Sequence, residues 1–381
     1  MMLAAILFRF VLLSPAALPL QTAPTPHPSA AAQSKATVVS SFEQLSRAAD
    51  RARDENRNDE AIQLYRQSLS LRPAWKEGLW YLSTLLYEKE RYADARDLLR
   101  RFVADAADAG PGWALLGLSE FQNREYSRAL DHLQRAMALG LGGRKDMAQS
   151  VFYFVAVLRT RFEQFDDSMN LLIAMVKSGQ QPDNLVEPIG LAALRLPFLP
   201  GEIPADHREM IRMAGQGALA LEAQHSADAE KLFSEMVAAH PNDPGVHFLY
   251  GAFLLDIRPD DGIRELKREL EVSPSDIPAR LRLAEEYIKE QKLDLALLLA
   301  EEAVKLDPEH PPAHMMLGEV LVAKGDLARG IHDLETARDR APQKVRIRWD
   351  LLRAYTSAGR SDDAKREKDE IEKLSGPGNG Q

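Results

Sequence analysis

Residues able to do chemistry are few in this chain, and they are scattered. Of its nine histidines, only His310 and His314 have metal-like spacing, four apart at the start of a helical stretch, where one face could present both rings. Pro311 and Pro312 lie between them and put His310 outside the helix, and no carboxylate sits in the matching place, so the pair reads as a turn. The stretch GLGGRKD (140–146) has glycines and a lysine, but neither the spacing of a phosphate loop nor a Ser or Thr after the lysine. No G-x-S-x-G, G-x-G-x-x-G or H-E-x-x-H occurs. Glu187, Glu202 and Asp206 are loose carboxylates in a proline-rich stretch. With no cysteine there is no thiolate nucleophile, disulfide framework or cysteine zinc site. The expectation is therefore no catalytic residue, no metal and no cofactor.

Charge and hydropathy narrow the class further. Fifty-seven acidic against 48 basic residues give a net charge of -9, which disfavours nucleic acid and anionic lipid as partners. The first twenty residues, MMLAAILFRFVLLSPAALPL, are apolar except for Arg9 and Ser14, and a small, polar, proline-rich segment follows. That order fits a signal peptide or anchor over 1–33, with Ala30 to Ala32 as a small-x-small cleavage site, and so an exported protein. No later segment approaches the roughly 18 apolar residues of a membrane span.

What must position any site is a helical repeat. From Trp113 the apolar residues run Trp113, Leu116, Gly117, Phe121 on one helical face; Asn123 to Glu125 break the pattern, and Ala129, Leu133, Ala136 and Met137 form a second stripe. Gly117, Ala129 and Ala136 are small where two helices must approach, and Trp113, Leu116 and Leu133 fill the space beside them. The hairpin recurs: Ala61, Ala95 and Ala129 are 34 residues apart, as are Ala296, Gly330 and Ala364.

Spacing and residue types together make the chain resemble the tetratricopeptide repeat (TPR) family. Gly112 to Leu139 carries that family's Trp113, Leu116-Gly117, Tyr126, Ala129 and Ala136; Ile277 to Pro308 carries Leu283-Ala284, Tyr287, Ala296, Ala303 and Pro308; Pro311 to Pro342 carries Leu317-Gly318, Gly325, Ala337 and Pro342. The resemblance implies an all-α superhelix of about nine two-helix units, beginning near Phe42, Lys76, Gly110, Gln149, Met210, Pro244, Ile277, Pro311 and Val345. A linker over 34–41 leads into four units over 42–183. A proline-rich linker with a short helix over 184–205 separates these from five units over 206–375, and a disordered tail follows over 376–381. Two units depart from the pattern at their small-residue places: the fourth has Ser168 in place of Ala, and the sixth, a residue short at its turn, has Glu269 in such a place.

In this family the first helices line a concave groove. Transferred by position, the amino-terminal floor is Trp80, Thr84, Tyr87, Leu118, Phe121, Tyr153 and Val157, apolar and aromatic. The carboxy-terminal half presents Leu281, Glu285, Ile288, Lys289, Met315, Glu319 and Val322, ending in the basic and aromatic Arg346, Trp349 and Arg353. The Lys and Asn positions of chaperone-binding members hold Trp80, Thr84, Ala114 and Leu118, so a carboxylate clamp is not expected. The resemblance implies a non-catalytic scaffold that binds a protein or peptide. Together with the signal-like start it places the chain in a bacterial periplasm or envelope. The rival expectations are an enzyme with its site at the proline-rich linker, and a self-associating structural subunit of an envelope complex.

Overall fold

The computed structural model describes residues 30–179 and 184–375, among which there are nineteen α-helices and no strand. Residues 1–29, which hold most of the expected signal or anchor segment, and the tail 376–381 lie outside the described residues. The helices form nine antiparallel pairs: α1 (Ala30–Asp54) with α2 (Asn58–Leu71), α3 (Lys76–Glu88) with α4 (Tyr92–Asp105), α5 (Gly110–Gln122) with α6 (Tyr126–Leu139), and α7 (Lys145–Arg161) with α8 (Phe165–Lys177). After a lone α9 (Val186–Ala193) come α10 (Arg208–Glu222) with α11 (Ser226–Ala239), α12 (Val246–Leu255) with α13 (Pro259–Val272), and α14 (Ile277–Lys289) with α15 (Leu293–Leu306). The last two pairs are α16 (Pro311–Ala323) with α17 (Leu327–Arg340) and α18 (Val345–Ser357) with α19 (Ser361–Ser375). Residues 34–41, expected to be a linker, lie inside α1. Their run, SKATVVSS, has no Gly or Pro to stop a helix.

Eight of the nine hairpins turn on one left-handed residue. Asn56, Glu90, Arg124, Glu163, Gln224, Gln291, Gly325 and Gly359 all have φ between 57 and 87°. The amide after each reaches back five residues, as from Arg91 to the Leu86 carbonyl (2.8 Å) and from Asp326 to Leu321 (2.9 Å), which closes the last turn of the first helix. The α12–α13 turn, a residue short, lacks this device; Asp256 stays right-handed and Pro259 starts the next helix.

Close approach inside the hairpins depends on absent side chains. A Cβ on Gly117 would lie 2.7 Å from Leu133 Cγ, and one on Gly318 would lie 2.6 Å from Leu334 Cγ and 2.8 Å from the Gly330 carbonyl. Ser168 satisfies its hydroxyl inside the fourth hairpin, on Thr160 and the Ala156 carbonyl at 2.8 Å each. Glu269, wholly buried, accepts the Gly245 amide (2.8 Å) and the Phe248 amide (3.1 Å), and so caps the start of α12 rather than crowding it.

The site of the family's Trp serves as a hydrogen-bond donor. Trp113 Nε1 donates to the carbonyl of Ala107 (2.9 Å), His247 Nε2 to Pro241 (3.0 Å), Arg280 to Pro274 (2.6 Å), His314 Nε2 to Pro308 (2.9 Å) and Arg348 to Pro342 (3.0 Å). Each carbonyl lies six residues upstream, so one geometry is kept while three residue types exchange. A carbonyl only accepts, which fixes the proton on Nε2 of both histidines.

The described chain divides into two compact units. One runs to Pro188 and includes 197–203, with the hairpins α1 to α8; the other takes 189–196 and everything from Pro204, with the hairpins α10 to α19. The proline-rich segment is thus shared between them rather than standing apart. In the second unit its residues Ile189, Leu191 and Leu194 are buried, and Gly190 lies so close to the Ile211 carbonyl that a Cβ would meet it at 1.9 Å. Inside each unit successive helices pack in chain order. Alternate first helices also touch, α3 on α5 on α7 in one and α14 on α16 on α18 in the other. No alternate second helices share comparable contact, so each array curls toward its first-helix side.

Candidate protein-interaction faces

In the first unit the expected floor is a packed aromatic seam rather than an open surface. Leu118 and Val157 are 6% and 2% exposed. Both are ninth in their repeats, and their burial corrects their assignment to an open groove. Thr84, at the same position, donates its hydroxyl to the Tyr81 carbonyl at 2.8 Å. Phe121 lies 4.5 Å from Phe154 and 5.5 Å from Tyr126, centroid to centroid, and Tyr153 meets the edge of Phe154 at 5.4 Å. Burial pushes the Tyr153 hydroxyl up to about 12, aided by the charge of Glu187. Tyr87 rests edge-on against Tyr92 at 5.2 Å, its hydroxyl also raised by burial. Trp80 remains half-buried between Phe102 (5.7 Å) and Arg144, whose guanidinium stands 5.4 Å over the ring. Phe154, Phe102 and Arg144 complete this surface without a signal in the repeat template, since Phe154 and Phe102 meet Phe121 and Trp80 from neighbouring helices and Arg144 meets Trp80 from the turn before α7.

The second unit differs. Trp349 is 49% exposed on α18, and Arg346 and Arg353, one turn to either side of it, are also exposed. Arg346 reaches Glu319 on α16 at 3.3 Å, and Arg353 pairs with Asp350. Of the other face residues, Leu281 and Ile288 are partly buried on the core between α14 and α16, and Met315 and Val322 on the core of the last two hairpins. Glu285 and Lys289 close on Arg282 (2.8 Å) and Glu286 (2.7 Å) of their own helix.

Several candidates for chemistry have structural work. His310 Nδ1 accepts the Ala313 amide at 3.2 Å and caps α16, while His314 spends its second nitrogen on Asp333 at 2.9 Å. Gly140, Gly142 and Gly143 have positive φ and form the turn into α7. Glu202 accepts the Leu199 amide at 3.4 Å, and Asp206 lies 3.6 Å from His207. Among the described residues no three His, Asp or Glu gather as a metal would need, and no helix is long and apolar enough to cross a membrane.

Comparison with known proteins bears on the repeats. The family model described as Tetratricopeptide repeat matches residues 46–112, 82–143, 281–331 and 315–367. No curated protein matches the sequence. Solved structures that resemble the chain include one described as the crystal structure of MamA, 20% identical over 42% of this chain and 93% of that one, with a TM-score of 0.37. Another is MamA from residue 41 to its end from Desulfovibrio magneticus RS-1, 20% identical over 44% of this chain and 93% of that one, also at a TM-score of 0.37. The matched segments cover hairpins in both units, with their left-handed turns and small inter-helix contacts, and these hairpins are tetratricopeptide repeats.

Proposed function

We propose that the chain is a non-catalytic, exported scaffold that captures a protein or peptide on the first-helix face of its second array. Exposed Trp349 carries this reading: the other three tryptophans, all in the first array, are buried or half-buried, whereas this ring, on the first helix of the last hairpin, is open to solvent. A rigid aromatic flanked by guanidinium groups has the composition of an interaction hot spot, because it desolvates a large area at little entropic cost. The aromatic seam of the first array is already spent on packing and serves mainly to hold its helices together.

A photo-crosslinking residue in place of Trp349, expressed in the native cell, tests the placement. The expected product is a discrete covalent adduct with another protein. Adducts from position 80 but not 349 would move the site to the first array, and adducts from neither would defeat the scaffold reading. Export is tested by fractionating the same cells, where retention of the full-length chain in the cytoplasm would overturn it.

A further inference from the structure

The ninth position of the repeat is apolar and buried at Leu118 and Val157, yet on α16 it is Glu319, and its neighbour on α18 is another acid. Asp350 is 4% exposed; one of its oxygens binds Arg353, and the other, Oδ2, is buried without a donor. The Glu319 carboxyl neighbours this carboxylate, where a proton on Glu319 supplies a donor toward it. Two ionised carboxylates offer each other only acceptors, so the contact forms when Glu319 carries a proton. Arg346 opposes that proton from the exposed side, bound to Glu319 Oε1 at 3.3 Å. Burial first, then Asp350, push the Glu319 carboxyl up to about 7 against the pull of Arg346.

Charged groups on the elements around the pair form ion pairs and hydrogen bonds of their own. On α14, Arg282 binds Glu285 and Lys289 binds Glu286; on α15, Glu302 binds Arg280 and Glu301 faces Arg329. On α17, Asp333 binds His314 and Glu335 accepts from Tyr355; on α19, Glu367 binds Arg338 and Arg348, and Asp363 binds Arg360 and Arg366. The local charge is therefore that of Arg346, Arg353, Asp350 and Glu319, which is one net positive with the proton and zero without it. Each arginine spends a single terminal nitrogen on its carboxylate and keeps other N–H groups open to solvent beside Trp349.

We propose that the Arg346–Trp349–Arg353 face docks an acidic segment bearing an apolar side chain, and that docking is coupled to proton uptake by the Glu319–Asp350 pair beneath it. This rests on the placement of the binding face at Trp349. A ligand carboxylate that takes Arg346 removes the cation opposing the shared proton, so the bound complex holds the proton more tightly than the free protein. By linkage, falling pH strengthens binding. The apolar side chain covers the indole, and the two arginines receive the flanking carboxylates.

The test uses the full chain and a short synthetic peptide of Asp and Glu around a central Leu, with a Lys version of the same length as control, titrated by calorimetry. The acidic peptide alone should bind, about three- to tenfold tighter near pH 6 than near pH 8. Glu319→Gln keeps a donor toward Asp350 and should bind at the tighter level at both pH values, and Trp349→Ala should abolish binding with helicity unchanged. Infrared difference spectra should show a protonated carboxyl band near pH 6 that Glu319→Gln removes, a readout that needs no ligand. Binding without pH dependence, pH dependence that survives Glu319→Gln, or absence of the band would overturn the coupling and leave the face itself standing. If neither peptide binds, or if sedimentation shows Trp349 covered by a second copy of the chain, the acidic partner is refuted while the crosslinking result at position 349 is judged on its own.

Discussion

A single backbone angle recurs in this chain more faithfully than any side chain. Six of the left-handed hairpin residues are Asn, Glu, Arg or Gln rather than Gly, with φ near 60°. A Cβ in that region is strained by about 1 kcal/mol or more, and glycine is not. Gln291→Gly should therefore raise stability by about 0.5 to 1 kcal/mol, even though it deletes a side chain; chemical denaturation with an unchanged m-value is the check. His247 gives a pH dependence with a definite sign. Burial opposes its charge, but the bonds to Glu265 (2.6 Å) and the Pro241 carbonyl outweigh it and hold the ring above its ordinary value. A basic group raised on folding contributes its full stability at pH below its unfolded value and loses it as pH rises through the folded one. Melting temperature should accordingly fall across that window more in the native chain than in His247→Gln, and parallel curves would refute the assignment.

At the scale of the element, the hairpins were legible because periodicity of 3.6 and recurrence at 34 report the same contacts twice. Gly117 and Ala129 could be placed against each other from spacing alone, and the structure puts a Gly117 Cβ 3.1 Å from the Ala129 carbonyl. Contacts between repeats were not legible. Leu118 and Val157 fit an exposed groove in a one-repeat template, and only the packed array shows them buried. Glu319 and Asp350 lie on different helices, and neither is unusual in its own local sequence. Glu269 shows the same limit inside one hairpin: a carboxylate in a small-residue place looks like a packing fault until the two amides of the shortened α12 are found pointing at it. Glu269→Ala should leave both amides buried and unpaired and cost about 2 to 4 kcal/mol. Glu269→Gln, which keeps one acceptor oxygen, should cost less. Equal losses in urea unfolding would show that the side chain acts through volume instead.

For the molecule as a whole, the relevant property is that each array is held by neighbours rather than by a common core. In the first unit α5 touches its own partner α6, the preceding α4, and the first helices α3 and α7. A quasi-one-dimensional stack of this kind stores stability in repeats and in the interfaces between them, so damage at one repeat spreads by adjacency. Gly117→Trp drives a large ring into Leu133 and the Ala129 backbone, where a single Cβ already lies 2.7 Å from Leu133 Cγ. That should cost about 1 to 3 kcal/mol or more. The loss should not be uniform within the unit. Hydrogen exchange should accelerate first in α5 and α6, then in α4 and α7, while α1 and α2, which meet the damaged hairpin only through α3 and α4, keep most of their protection. Interface terms must be weaker than the cohesion of a single globule for that gradient to exist. Equal acceleration from α1 to α8, measured amide by amide in the native state, would mean that the four hairpins open as one body and that the repeat is a unit of sequence but not of stability.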